Sequence, residues 1–126
     1  MANRRFYQFR QSLEPQIVEL FAFVSFGGTG APTLDATKSR GIASIVRSSQ
    51  GLYAITLQDS YNRLLGCDVT YVYATSPAGF VNHVSSETVQ TTKIVNLEFN
   101  IANGTATDPA SGEAVIVRFT LKNSNV

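Results

Sequence analysis

Between residues 41 and 62 the chain alternates with a period of two. Ile42, Ser44 and Val46 fall on one side, and Ala43, Ile45 and Arg47 on the other, as side chains do on a pleated strand. Ser48-Ser49-Gln50-Gly51 interrupts the pattern. It then resumes with Leu52, Ala54, Thr56 and Gln58 opposite Tyr53, Ile55 and Leu57. The segment reads as one β-hairpin closed by a tight, glycine-bearing turn.

The rest of the chain repeats this pattern in short pieces. Residues 16–26 are the most apolar run, with Ile17, Val18, Leu20, Phe21, Ala22, Phe23, Val24 and Phe26 interrupted only by Glu19 and Ser25. β-Branched and aromatic content favours a strand over a helix. A strand apolar on both faces needs cover on both, so it either sits centrally or meets another subunit. Gly27-Gly28-Thr29-Gly30-Ala31-Pro32 ends it as a loop, and residues 33–37 predict a short edge strand. Residues 64–75 predict the next strand, with Val69, Tyr71 and Tyr73 on one face. Asp59 offers a cap for a short helical turn just before it. Residues 80–90 are polar in the middle (Asn82, His83, Ser85, Ser86, Glu87) and read as a long loop or a short strand plus loop. Residues 91–101 place Val95, Leu97, Phe99 and Ile101 on one face. Residues 113–122 place Val115, Val117, Phe119 and Leu121 inward. About seven or eight strands with turn residues at short intervals predict an all-β chain, an antiparallel β-sandwich or small barrel. Residues 16–126 form the single domain, and residues 1–15 an extended amino-terminal arm.

Composition narrows the class of partner. Charged residues make up 15% of the 126, below the usual roughly 25%, so the surface is built from Ser, Thr, Asn and Gln. Such a surface suits a protein that lives against other protein surfaces. The net charge of +1 argues against nucleic acid or an acidic membrane as the main partner. It also leaves the chain poorly protected from self-association. The single cysteine, Cys67, cannot close an internal disulfide, so the fold needs no oxidising compartment. Its apolar neighbours suggest a buried, inert thiol. Residues 17–26 are too short for a membrane span of roughly twenty residues. The basic residues 1–10 have no apolar run directly behind them, so no secretory leader is expected.

Little in the sequence promises chemistry. A hydrolase needs a nucleophile, a base and an orienting group that converge. The one histidine, His83, stands beside Ser85 and Ser86, and a triad with Asp68 or Asp108 can be drawn, although a surface histidine is the default reading. Zinc asks for three or four ligands, and His83 and Cys67 supply two. Calcium asks for clustered carboxylates, and Asp35, Asp59, Asp68 and Asp108 are scattered. The glycine loop after the first long strand opens no predicted helix and carries no lysine, so it is no phosphate cradle. The expectation is a non-enzyme without metal or cofactor.

Two stretches carry a resemblance. Gly41-Ile42-Ala43-Ser44-Ile45-Val46-Arg47, followed by Gly51-Leu52-Tyr53-Ala54-Ile55-Thr56-Leu57-Gln58-Asp59-Ser60-Tyr61, resembles a segment of small virion structural proteins of tailed bacteriophages. Gly104-Thr105-Ala106-Thr107-Asp108-Pro109 and the strand ending Leu121-Lys122-Asn123-Ser124 are similar to the same proteins. That group includes head decoration, or cement, proteins. The resemblance spans residues 41–61 and 94–124 and also extends to domains of phage fibres and tails.

It implies a protein made in the host cytoplasm that binds the outside of a phage capsid and clamps the major capsid protein, as a homo-oligomer with a trimer favoured. The alternative it implies is a tail or fibre module that binds host glycan. For capsid contact the expected residues are Arg4, Arg5, Phe6, Tyr7, Phe9 and Arg10 in the arm, because arginine and aromatic side chains dominate interface hot spots. For self-association they are Val18, Leu20, Phe21 and Phe23, on the outward face of the first long strand.

Overall fold

A computed structural model describes residues 16–72, 81–101 and 104–123. These contain eight strands: β1 Ile17–Phe26, β2 Pro32–Leu34, β3 Ile42–Ser49, β4 Leu52–Leu57, β5 Arg63–Val72, β6 Val81–Thr88, β7 Ile94–Asn100 and β8 Ala114–Lys122. They form two four-stranded sheets in the orders β2-β1-β8-β5 and β3-β4-β7-β6, and every pairing is antiparallel. The all-β sandwich is thus the observed fold. The arm lies outside the described residues.

The core is the sum of the inward halves of the alternating strands. Leu20, Ala22, Val24 and Phe26 of β1 face Tyr53, Ile55 and Leu57 of β4, Val95, Leu97 and Phe99 of β7, and Val115, Val117, Phe119 and Leu121 of β8. At its centre Phe99 meets Phe26, Tyr53 and Tyr71 edge to face, with centroids 6.1, 5.6 and 6.2 Å away. This is the arrangement that ring quadrupoles favour.

The stretch expected at 80–90 to be a long loop or a short strand plus loop contains the eight-residue strand β6, Val81–Thr88. Its polarity reflects position rather than irregularity. β6 is a sheet edge whose outer face meets solvent, and only Val84 packs against the core. The expected helical turn at Asp59 does not form. The chain passes from β4 to β5 through a bend that buries Tyr61, whose N–H donates to the carbonyl of Val89. The expected edge strand at residues 33–37 stops at Leu34, because the Asp35 carboxylate accepts the N–H groups of Thr37 and Lys38 and turns the chain.

Irregularity is confined to the sheet edges. Ala43 and Ser48 of β3, Leu65 of β5 and Ser85 of β6 are each an extra residue against a regular partner strand. A bulge of this kind shifts the face that later side chains occupy. Ile42 and Ile45 therefore both turn toward the core, where simple alternation separated them. The fourth edge, β2, is only three residues long. Short and bulged edges discourage strand-to-strand addition of further chains.

Candidate assembly surface

The outward residues of the β2-β1-β8-β5 sheet follow directly from its register. Ser25, Ala114 and Val72 form one rung across β1, β8 and β5; Phe23, Ile116 and Thr70 form the next. Phe21, Arg118 and Asp68 form the third, and Glu19, Thr120 and Gly66 the fourth. Phe21 is 40% exposed and Val72 47%. Between Phe23, Ile116 and Val72 lies an open groove of about 290 Å³, with Ser25, Asp35 and Lys38 also in its lining. The floor is apolar and the rim is charged.

Both charged rims are ordered by local bonds. Asp35 accepts from the Thr37 hydroxyl at 2.7 Å, and Lys38 lies 3.9 Å from its other oxygen. The Thr37 hydroxyl bond holds the Asp35 carboxyl below the usual carboxylate range. In the third rung Arg118 Nη2 donates to Asp68 Oδ2, and both side chains are largely exposed.

The outer face of the other sheet has a different character. Its middle is Asn96 and Glu98 of β7 beside Ser86 and His83 of β6. Asn96 Nδ2 donates to Ser86 Oγ at 2.8 Å, and His83 Nε2 lies 3.4 Å from Glu98 Oε2. Exposed apolar side chains on its edge strands are Val46 and Val81. Leu52, Ala54 and Ile94 also face outward on this sheet, so both outer faces mix apolar and polar positions. The first differs in gathering Phe23, Ile116 and Val72 around one groove.

Of the four residues expected on the outward face of β1, two are there. Phe21 and Phe23 point out. Leu20 is 7% exposed and belongs to the core, and Val18 packs against that core. The correction follows from the period of two: positions 18 and 20 cannot share a face with 21 and 23. The partners of Phe23 in the groove, Ile116 and Val72, were not singled out from sequence, because only the register places them beside it. Arg4, Arg5, Phe6, Tyr7, Phe9 and Arg10 lie outside the described residues.

The candidates for chemistry remain apart. His83 pairs with Glu98 across β6 and β7, while Asp68 pairs with Arg118 on the other sheet and Asp108 with Arg47. No group of three or more His, Cys, Asp or Glu suited to a metal occurs among the described residues. Burial, with the neighbouring Asp68 charge second, pushes the Cys67 thiol up to about 12.

Compared with known proteins, the chain finds no significant match to a family model, a curated protein or a solved structure.

Proposed function

We propose that this protein is a virion structural protein, a decoration protein that binds the outside of a phage head and reinforces the major capsid protein lattice. The observation that carries the reading is the apolar groove on the outer face of the β2-β1-β8-β5 sheet. A sandwich that leaves Phe21, Phe23, Ile116 and Val72 on one face has a surface suited to covering by protein. The blunted edges favour contact through a face over strand addition. Repetition suits this mode of binding, because many modest contacts on one lattice act together. The arm, residues 1–15, supplies the arginine and aromatic side chains suited to the lattice contact, and the outer face of β1 the contact between copies.

The test is co-sedimentation of the protein with phage heads lacking it. Binding in defined copy number, lost on deletion of residues 1–11 and weakened by Phe21→Ser, supports the reading. Absence of binding to heads, with retention on a glycan array, replaces it with the tail or fibre reading.

A further inference from the structure

Lys122 stands at an outward position of β8, in the rung it forms with Ile17 of β1 and Arg63 of β5. These neighbours rise from the same sheet and stand beside it. A lysine in such a place keeps its ammonium in water. Arg118, four residues earlier on the same face, has 46% of its side chain exposed, yet Lys122 is only 9% exposed. Something lies over this end of the sheet. Lys122 is hidden within a single chain, so the cover belongs to the same copy.

The topology leaves few segments able to supply it. Residues 73–80 leave β5 at Val72, at the opposite end of the sheet from Arg63, about 30 Å away at strand rise. The arm joins at Gln16, whose carbonyl accepts the N–H of Asn123, the residue after Lys122. Gln16 has φ +54°, a left-handed conformation uncommon outside glycine. It turns the chain out of the line of β1 just where the arm begins.

The arm also carries suitable chemistry. A buried lysine calls for an acid beside it. Glu19, diagonal to Lys122 on β1, offers charge from the side and covers nothing from above. Glu14 is the one acid in residues 1–15 and lies two residues before Gln16. Further out, Phe9 and Tyr7 command about 23 and 30 Å of extended chain from Gln16. Ile116 in the groove is six residues along β8 from Lys122, about 20 Å. An arm turned back at Gln16 carries its aromatics along the face as far as the apolar groove.

We infer that residues 1–15 fold back over the outer face of their own β1-β8-β5 strands, with Glu14 at Lys122 and residues 6–9 toward the groove. The arm is then a built-in cover, which occupies in the free chain the face through which copies meet. That role deepens the assembly reading and rests on it, because the arm must leave the face to reach a lattice. The contact itself does not rest on it.

Two measurements on the free protein test the contact. In the full-length chain, acetylation read by mass spectrometry should modify Lys122 at least about tenfold more slowly than Lys38, whose side chain is 66% exposed. Deleting residues 1–14 should bring the two rates together while Cys67 stays slow to label, which shows the sandwich intact. Equal rates in the full chain overturn the inference. So does protection of Lys122 that survives the deletion, which assigns the cover to residues 124–126.

The second measurement keeps the chain whole. In a Cys67→Ala background, Tyr7→Cys is combined with Thr70→Cys, beside Ile116 on the groove face. The control combines Tyr7→Cys with Ser86→Cys, on the outer face of the other sheet. At high dilution the first pair should close a disulfide within one chain at least about tenfold faster than the control. Links found only between copies, or equal rates for the two pairs, would overturn the inference. Neither measurement uses phage heads, so the cover and the head-binding reading can each fail alone.

Discussion

Arg47 and Asp108, sixty-one residues apart in sequence, form a two-pronged ion pair: Nε to Oδ1 at 3.1 Å and Nη2 to Oδ2 at 2.7 Å. Asp108 Oδ1 also accepts the Gly51 N–H at 2.7 Å and the Tyr53 hydroxyl at 3.2 Å. One carboxylate thus ties the loop before β8 to the β3–β4 hairpin. Replacing it by Asp108→Ala removes the acceptor from the Gly51 N–H and the partner from Arg47, while the Tyr53 hydroxyl keeps the Gly30 carbonyl. The expected loss is about 2 kcal/mol, read from the urea midpoint.

The same carboxyl makes stability depend on pH. The bond from Arg47 leads the causes that hold its pKa below the ordinary value, with Gly51 and Tyr53 adding to it against the opposing effect of burial. A folded-state pKa below the unfolded one contributes stability that is complete above the unfolded value of about 3.9. That contribution is lost as pH falls toward the depressed folded value. Stability should therefore drop on acidification below about pH 4, and Asp108→Asn should flatten that drop. An equally steep acid limb in the variant would remove Asp108 from the account.

Gly30 closes the other side of this junction. Its φ is +71°, and a Cβ there would stand 2.6 Å from the Asp108 Cβ and 2.8 Å from the Tyr53 hydroxyl, which donates to the Gly30 carbonyl at 2.7 Å. Gly30→Ala combines left-handed strain with a clash against the Asp108 and Tyr53 side chains, which their hydrogen bonds hold in place, and should cost about 2–3 kcal/mol. At Gly28 an added Cβ meets nothing within 4 Å, so Gly28→Ala should stay within about 0.5 kcal/mol. Thermal melts of the two variants side by side decide the matter.

The aromatic centre gives the largest single loss. Phe99 is 1% exposed and touches three other rings. Phe99→Ala should cost about 3–5 kcal/mol, enough to unfold a marginal domain. Tyr53→Phe keeps the ring and removes only the hydroxyl, for about 1–1.5 kcal/mol. Chemical denaturation of both variants separates packing from hydrogen bonding at one site.

Cys67 should be silent to thiol reagents in the native state. With its pKa pushed up to about 12, roughly one thiol in ten thousand is ionised at pH 8. Ellman's reagent should label half-buried Cys67 far more slowly in the native state than in denaturant. Rapid stoichiometric labelling of folded protein would contradict the raised pKa.

Much of this fold is readable along the chain, because a strand repeats its instruction every second residue. Val115, Val117, Phe119 and Leu121 of β8, and Tyr53, Ile55 and Leu57 of β4, all lie inside as their alternation requires. β6 was harder to read because an edge strand with one solvated face needs few apolar residues. The bulges at Ala43, Ser48, Leu65 and Ser85 leave no local mark, since an extra residue is defined only against a partner strand. Local pattern therefore decided the class of fold, the strands and most of the core. The assembly face arose only when pairing set Phe23 beside Ile116 and brought Val72 to the same groove. The Arg47–Asp108 junction likewise waited on folding. Periodicity acts between near neighbours in the chain, whereas a surface or an ion pair depends on which strands become neighbours in space.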